Sequence, residues 1–298
     1  MIVIGSRGSQ LALWQARHIA ARLASLGAET RLEIIKTTGD KIQDVPLAKA
    51  GGKGLFTKEI EEALLDRSID IAVHSLKDVP SQLPPGLILA AIPEREDPRD
   101  ALVGKPLAEL VPASKVGTSS LRRGAQLHAL GRGLVIETLR GNVDTRLRKL
   151  DQGQYDAIVL AAAGLRRLGW ADRIREMIPV EIMCPAAGQG ALAIETRDDS
   201  GAAQRLIEKL DHAPSRTAVT AERALLQTLG GGCQVPIGCH ATVDGSMIHL
   251  RAIVASPDGT RILRAALSGS DPARLGAALG QQLLDDGARE ILQEVYAA

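Results

Sequence analysis

The chain has 298 residues, of which 45% are apolar and 24% charged, as is typical of a globular protein with two or three domains. Basic and acidic residues nearly balance, at 36 and 35, and only 2% of the residues are aromatic. Nucleic-acid-binding proteins need a basic surface and flat rings for base stacking, so we expect no nucleic-acid partner.

The N-terminal sequence and the cysteines favour a cytoplasmic protein. Residues 1–7 show no basic stretch leading into a long apolar one, so they do not resemble a signal peptide, and no apolar run matches a membrane span. The three cysteines, Cys184, Cys233 and Cys239, do not have the pattern of a disulfide framework. We expect reduced thiols, as in the cytoplasm, and no membrane partner.

The first third of the chain alternates predicted strands and helices. Apolar patterning predicts strands over residues 2–4, 31–35, 69–73 and 87–92. Helices are predicted over residues 10–25 and, from i, i+3, i+4 spacing, around residues 60–64. The charged, proline-containing segment 94–100 is predicted to cross into a second domain.

The middle third repeats this alternation and then returns. Strands at about Val116, over 134–136 and over 157–160 alternate with helices that begin near Leu121 and after Asn142. The strand over 157–160 is apolar throughout, as expected of a strand buried on both faces. Residues 185–190 are predicted to cross back, so that residues 191–194 form a strand of the first domain.

The last third predicts a small α+β domain. Residues 247–255 and 262–267 flank turn residues, which is the pattern of an antiparallel hairpin, and a helix with a leucine stripe follows at positions 275, 279 and 283. The predicted domains are residues 1–94 with 190–210, residues 99–185, and residues 214–298.

Basic residues recur where a predicted strand ends and a helix begins. Arg7 follows the first strand, Arg122 and Arg123 follow the first strand of the second domain, and Arg140 follows the strand after that. In open α/β sheets ligands bind at the carboxyl ends of strands, beside helix N-termini that carry free N–H groups. The pattern predicts a carboxylate or phosphate site. Each arginine taken alone is also consistent with a solvated surface charge.

Hydroxyl and carboxylate side chains lie at similar positions. Ser9 and residues 118–120 would add hydrogen-bond donors, although these residue types also cap ordinary helices. Lys77 and Asp78 directly follow the strand over 69–73. A carboxylate beside a lysine there is catalytic, part of a simple ion pair or a turn former, and pattern alone favours the turn, since Asp is common in turns.

Cys233 stands in a glycine-rich segment over residues 230–238. Such a permissive loop exposes the sulfur, so Cys233 is a candidate nucleophile, with an unreactive loop cysteine as the alternative. A zinc site with Cys239 and His240 is disfavoured because the spacing does not match the usual ligand patterns, and we expect no metal. Cys184 and Cys239 are predicted to be buried as small apolar residues.

Motifs along nearly the whole chain resemble those of the porphobilinogen deaminase family. In chain order they are SRGSQLA (6–12), GGKGLF (51–56), HSLKDVP (74–80), REDPRD (95–100), GTSSLRR (117–123), LRGNV (139–143), GQGAL (188–192) and GGCQVPIG (231–238). Each motif is modest by itself, but their occurrence in the same order makes the resemblance specific.

The resemblance implies a fold and an activity. The fold would be α/β, with two domains similar to the halves of a type II periplasmic solute binder and a small C-terminal α+β domain with an antiparallel sheet. The activity would be that of a monomeric transferase of tetrapyrrole and haem biosynthesis. It would condense four porphobilinogen molecules head to tail, releasing ammonia, on a dipyrromethane cofactor held by Cys233 through a thioether. Hydrolysis would then free hydroxymethylbilane.

The resemblance also implies roles for particular residues. Asp78 would be catalytic, because a fixed carboxylate stabilises the positive charge of the azafulvene intermediate and takes part in proton transfer. Every substrate ring bears an acetate and a propionate, which basic side chains bind. The implied carboxylate-binding residues are Arg7, Ser9, Lys77, Thr118, Ser119, Ser120, Arg122, Arg123, Arg140, Arg146, Arg167 and Gln189. An active-site loop would contain Lys49, Lys53 and Phe56.

An anion-binding solute receptor is the main rival, since it would also have two α/β lobes with arginines at helix ends. The absence of a recognisable signal peptide and the additional domain with its glycine-flanked cysteine argue against a receptor.

Overall fold

The computed structural model describes residues 1–41, 54–231 and 235–297. In chain order its strands are β1 (Ile2–Ser6), β2 (Thr30–Ile34), β3 (Ile71–Ser75), β4 (Leu87–Ala91), β5 (Asp100–Gly104), β6 (Lys115–Gly117), β7 (Val135–Glu137), β8 (Ala157–Ala161), β9 (Glu176–Met177), β10 (Leu192–Arg197), β11 (Ile237–Asp244), β12 (Met247–Ala255) and β13 (Ile262–Gly269). Its helices are α1 (Gln10–Ser25), α2 (Thr38–Lys41), α3 (Lys58–Leu65), α4 (Leu121–His128), α5 (Val143–Asp151), α6 (Ala162–Arg167), α7 (Ala202–Ile207), α8 (Ala213–Thr228), α9 (Pro272–Leu283) and α10 (Arg289–Ala297).

The chain separates into two compact units. One comprises Met1–Glu96 with Gly190–Arg216, and the other Asp97–Gln189 with Thr217–Ala298. The finer division into three domains stays a prediction. In the described part of the chain, no helix has the length and apolar character needed to cross a membrane.

Helix α1 shows how local sequence sets an element. Ala16, Ile19 and Leu23 are buried at helical spacing against the first sheet. The Ser9 hydroxyl accepts a hydrogen bond from the Ala12 N–H at 3.3 Å, which caps the first turn. Gly27 adopts a left-handed φ of 84° just after the helix, where a side chain would be strained. The bounds predicted for this helix, residues 10–25, are confirmed.

The first unit is built on a sheet with the strand order β2-β1-β3-β10-β4. Strands β1, β2 and β3 are parallel, whereas β10 runs antiparallel to both β3 and β4. The predicted return of the chain to the first sheet is therefore confirmed. Ile4, Ile71, Val73 and Ile194 form the centre of its core.

The second unit contains a sheet with the order β7-β6-β8-β5-β9, in which β6, β7 and β8 are parallel and β5 is antiparallel to β8. Both sheets thus place one antiparallel strand next to last, and the prediction of two α/β domains of one kind is confirmed. Strand β5 was not predicted, because its apolar run is short and directly follows the charged segment 94–100.

A third sheet, of order β11-β12-β13, is antiparallel throughout. The predicted hairpin corresponds to β12 and β13 and is confirmed, as is the stripe of Leu275, Leu279 and Leu283 on α9, which is buried. Strand β11 and helix α8 were not predicted. Glu222 of α8 is fully buried and accepts hydrogen bonds from the N–H groups of Gly188 and Ala241, so one carboxylate connects the helix, the crossover segment and β11.

Candidate active site

The carboxyl ends of β1 and β3 lie at one edge of the first sheet. The two strands are parallel, with Ile4 beside Ile71 and Gly5 beside Ala72. The residues that follow them, Arg7 after β1 and the 3-10 turn Leu76–Asp78 after β3, are therefore brought to the same edge.

Arg7 is half-buried and held from two sides. Its Nη2 lies 2.5 Å from Oδ1 of Asp40, and its guanidinium carbon stands 4.2 Å from the centre of the Phe56 ring. Burial by itself would raise the pKa of Asp40, but the hydrogen bond and charge of Arg7 outweigh it and hold that pKa below its usual range. The arginine is thus oriented before any ligand binds.

Asp40 has a structural role that sequence patterning missed. It follows β2, the third parallel strand of the same sheet. Arg7 was singled out because it follows a strand, and the same reasoning applied to β2 would also have identified Asp40.

Asp78 ends its turn half-buried. The turn is held by the Leu76 N–H, which donates to the Ala191 carbonyl at 3.0 Å, and by the Val79 N–H, which donates to the Leu76 carbonyl at 3.1 Å. Within the described ranges, the Asp78 carboxylate itself has no hydrogen bond or ion pair. Its oxygens are therefore not used to hold the turn.

The neighbouring strand end is tied to α1. Gln15 of α1 is buried and its Nε2 donates to the hydroxyl of Ser75, the last residue of β3, at 2.8 Å. Gln15 was not predicted as part of this edge.

In the second unit, residues 118–120 connect β6 to α4. The Ser120 hydroxyl accepts from the Arg123 N–H at 3.4 Å, and the Ser119 hydroxyl donates to the Leu139 carbonyl at 2.6 Å. Thr118 is buried, and its hydroxyl accepts from the Ser120 N–H. The capping interpretation is confirmed for Ser9 and Ser120, while ligand binding by these hydroxyls stays a prediction.

Three further predicted cations belong to the same unit. Arg140 follows β7, Arg146 lies on α5 with its Nε donating to the Gly141 carbonyl at 2.8 Å, and Arg167 ends α6, which follows β8. All three side chains are partly exposed. Because β6, β7 and β8 are parallel, their carboxyl ends lie at one edge of the sheet. Arg140, which follows β7, is therefore at the same edge as residues 118–120, which follow β6.

Arg122 and Arg123 form a buried cluster with Asp100. Nη1 of Arg122 and Nη2 of Arg123 each lie 2.7 Å from an Asp100 oxygen, and Asp100 is fully buried. Asp100 opens β5 opposite Ala161, the last residue of β8, so the cluster lies at the carboxyl edge of the parallel strands. The surface-charge interpretation of the two arginines is therefore wrong.

The cluster carries an excess of positive charge. Burial alone would raise the pKa of Asp100, but the charges of Arg122 and Arg123 reverse this and lower it below its ordinary value. Gln189 is fully buried and its Nε2 donates to Asp100 at 2.9 Å, so its predicted ligand contact would need that amide to move. Ligand binding by Arg122, Arg123 and Gln189 stays a prediction.

The prediction that Cys184 and Cys239 are buried is confirmed. Burial raises the pKa of the Cys184 thiol to about 12, which makes it a poor nucleophile. Cys233, Lys49 and Lys53 lie outside the described residues.

The chain leading to Cys233 is held where α8 ends. Gly230 has a left-handed φ of 66°, and the Gly231 N–H donates to the Leu226 carbonyl at 3.1 Å. The Tyr296 hydroxyl donates to the Gly230 carbonyl at 2.9 Å.

Comparison with known families matches two models to this chain. The model described as "Porphobilinogen deaminase, dipyromethane cofactor binding domain" matches residues 2–205, and "Porphobilinogen deaminase, C-terminal domain" matches residues 216–285.

Curated relatives align over nearly their full length. A porphobilinogen deaminase of Syntrophobacter fumaroxidans is 52% identical, over 100% of this chain and 99% of its own length. One of Chromobacterium violaceum is 54% identical, over 99% of this chain and 98% of its own. Among solved structures, an ABC transporter periplasmic substrate-binding protein from Coxiella burnetii matches with a TM-score of 0.45 and 13% identity, over 75% of this chain and 97% of that one.

Proposed function

Since the chain belongs to the porphobilinogen deaminase family, we propose how its residues carry out the activity of that family. The enzyme condenses porphobilinogen molecules into hydroxymethylbilane for tetrapyrrole biosynthesis and uses a dipyrromethane cofactor. The roles of the individual residues, the attachment at Cys233, a monomeric state and a cytoplasmic location are our proposals.

Asp78 is the catalytic carboxylate. The observation that supports this role is a half-buried carboxylate that has no described partner and stands at the sheet edge that also bears Arg7. Joining pyrrole rings generates positive charge on the reacting rings, and a fixed anion lowers the energy of that state more than it aids ground-state binding. A carboxylate in this position also accepts the proton that the coupled ring loses.

The basic residues bind the acetate and propionate groups. Arg7, Lys77, Arg140, Arg146 and Arg167 follow parallel strands or lie on the helices after them, and their partly exposed side chains suit carboxylate binding. Asp40 and Phe56 keep Arg7 in place, so less side-chain freedom is lost when a carboxylate binds there.

A polyanionic cofactor suits the charge distribution of the second unit. In the Asp100 cluster two guanidinium groups meet one carboxylate, which leaves a net positive charge at the strand edge. Arg122, Arg123 and the nearby Arg140 would hold the carboxylates of the dipyrromethane, and Cys233 would hold it covalently. When bound, that group supplies the terminal ring to which the first substrate is joined.

The attachment site is tested by mass. Intact protein is expected to exceed the mass of its sequence by one dipyrromethane, and peptide mapping should locate the adduct on the Cys233 peptide. Cys233→Ser should fold and lack the adduct. Cys239→Ala is the matched control and should keep it, because Cys239 is buried.

Two results would contradict the proposal. An adduct on the Cys184 or Cys239 peptide would reject the attachment at Cys233. Protein that binds porphobilinogen reversibly, without adduct and without releasing ammonia, would instead indicate a receptor.

A further inference from the structure

A buried pair of polar side chains joins the strand that leads to Asp78 to its antiparallel neighbour. Nε2 of His74, on β3, lies 3.0 Å from Oε2 of Glu195, on β10. The side chains are 5% and 0% exposed. Burying such a pair costs desolvation energy, so it is weak evidence for stability and calls for another explanation.

The pair couples the register of the two strands. His74 lies opposite Ala193, and Glu195 lies opposite Ala72, so the two side chains are diagonal neighbours on one face of the sheet. A slip of one residue would turn one partner to the other face and break the hydrogen bond.

The register in turn places the turn that bears Asp78. That turn begins two residues after His74, and its Leu76 N–H donates to the carbonyl of Ala191, directly before β10. Any displacement of β10 along β3 would therefore change the hydrogen bond that holds the turn.

On the premise that Asp78 is the catalytic carboxylate, we propose that His74 and Glu195 are positioning residues that place it through the register of β3 against β10. Neither side chain reaches the surface, so neither touches the reactants. Their effect is on the rate of the chemical step, because small displacements of a catalytic group are costly.

Glu61 provides a matched control within the same interior region. It lies buried on α3, and burial raises the pKa of its carboxyl, with the charge of Glu195 raising it further. Glu61 takes no part in the described hydrogen bond between His74 and Glu195. Glu61→Gln therefore changes the same surroundings while leaving the hydrogen bond between His74 and Glu195 in place.

The test compares holoenzyme variants in steady-state turnover of porphobilinogen. Glu195→Gln keeps an acceptor for His74 Nε2 and is expected to hold kcat within about threefold, whereas the double variant His74→Leu/Glu195→Leu removes the hydrogen bond and should lower kcat by about tenfold or more. KM should change little. The double variant avoids an unpaired buried charge, so its thermal midpoint should stay near that of the parent.

A folded double-leucine variant with parental kcat would overturn the proposal, as would a loss in Glu61→Gln equal to that of the double variant. If the double variant fails to fold, Glu195→Asp decides instead. The shorter side chain keeps the carboxyl group but moves it away from His74. Parental kcat in Glu195→Asp would also overturn the proposal. Asp78→Asn is measured beside them: full activity in that variant would reject the role of Asp78, separately from the positioning pair.

Discussion

Asp78 lies at the end of a turn that forms without the help of its carboxylate. It ends a 3-10 turn whose backbone hydrogen bonds are made by Leu76 and Val79, so the carboxylate is not needed to form the turn. The turn-former and the catalytic interpretations of Asp78 are therefore compatible.

We expect Asp78→Asn to fold normally and to lose most of its turnover. The amide keeps the size of the side chain but not its charge, and loss of one electrostatic group of this kind typically costs about 10²–10³ in rate. Asp78→Glu keeps the charge at a shifted position and should lose less. Steady-state turnover measures the effect, with cofactor content checked by intact mass.

Asp198→Asn is the control, because Asp198 is an exposed carboxylate of the same unit. Turnover of Asp78→Asn within about twofold of the parent, against the loss expected for such a group, would reduce Asp78 to a turn residue.

Helix α3 carries a buried acidic side chain, that of Glu61. Glu61 is buried on the face that packs on the first sheet, next to Ile60 and Leu64 of the local core, whereas Glu62 is exposed. Adjacent positions on a helix point in different directions, so two neighbouring glutamates experience different environments.

This contrast predicts a pH dependence of stability. Burial raises the folded-state pKa of Glu61 above its ordinary value of 4.5, so the folded protein binds the proton more tightly than the unfolded chain. The stabilisation is complete below the unfolded pKa and is lost as the pH rises through the folded pKa. Relative to the parent, Glu61→Gln should gain free energy of unfolding as the pH rises from about 4.5 through the folded-state pKa of Glu61.

Urea denaturation across that pH range measures the change. Glu62→Gln is the matched control and should follow the parent, because its carboxylate is exposed. If the free energy of unfolding varied with pH in the same way for the parent and Glu61→Gln, Glu61 would have the same pKa in the folded and unfolded states, which would contradict the prediction.

At the scale of the whole molecule, both α/β units place charged groups at strand ends, but these groups differ in burial even within one unit. Arg7 and Arg140 are partly exposed, whereas Arg122 and Arg123 are buried on Asp100. Arginines that the sequence presents as one set therefore divide into partly exposed side chains and a buried cluster.

We expect Arg7→Ala and Arg140→Ala to slow elongation with little effect on folding, because partly exposed charges contribute little to stability. Mass spectrometry should show enzyme-bound chains accumulating at shorter lengths than in the parent. Arg31→Ala and Arg148→Ala, which remove exposed arginines of the first and second units, should elongate normally. Parental behaviour of both Arg7→Ala and Arg140→Ala would mean that substrate carboxylates bind elsewhere.

Arg122→Ala should behave differently. Removing one cation leaves Asp100 underpaired in the interior, and breaking a buried pair typically costs about 3–5 kcal/mol. Urea denaturation should therefore show a large loss of stability for Arg122→Ala and a small one for Arg140→Ala.

Local sequence was sufficient for the elements whose signals lie within one stretch of chain. The bounds of α1 follow from apolar spacing and a capping serine, and β12 with β13 from alternation around a turn. The motif order, compared with a known family, also predicted the family and its reaction, which the family models confirm, whereas the roles of Asp78 and Cys233 stay predictions. Strand β5 escaped prediction because its apolar run is short and directly follows a charged segment, and packing supplies the rest of its stability. Helix α8 was missed although Ala218, Ala221 and Leu225 recur at helical spacing and are buried.

Only the tertiary structure decided which distant residues meet. His74 and Glu195 are 121 positions apart, and Asp100 meets arginines 22 and 23 positions away. Periodicity reports the face of an element on which a side chain stands, but not which other element covers that face. The strand order β2-β1-β3-β10-β4, with its returning strand, determines that His74 faces Glu195. Sheet pairing is long-range, because its energy comes from segments that are distant in sequence, and it therefore leaves no local signal in the chain.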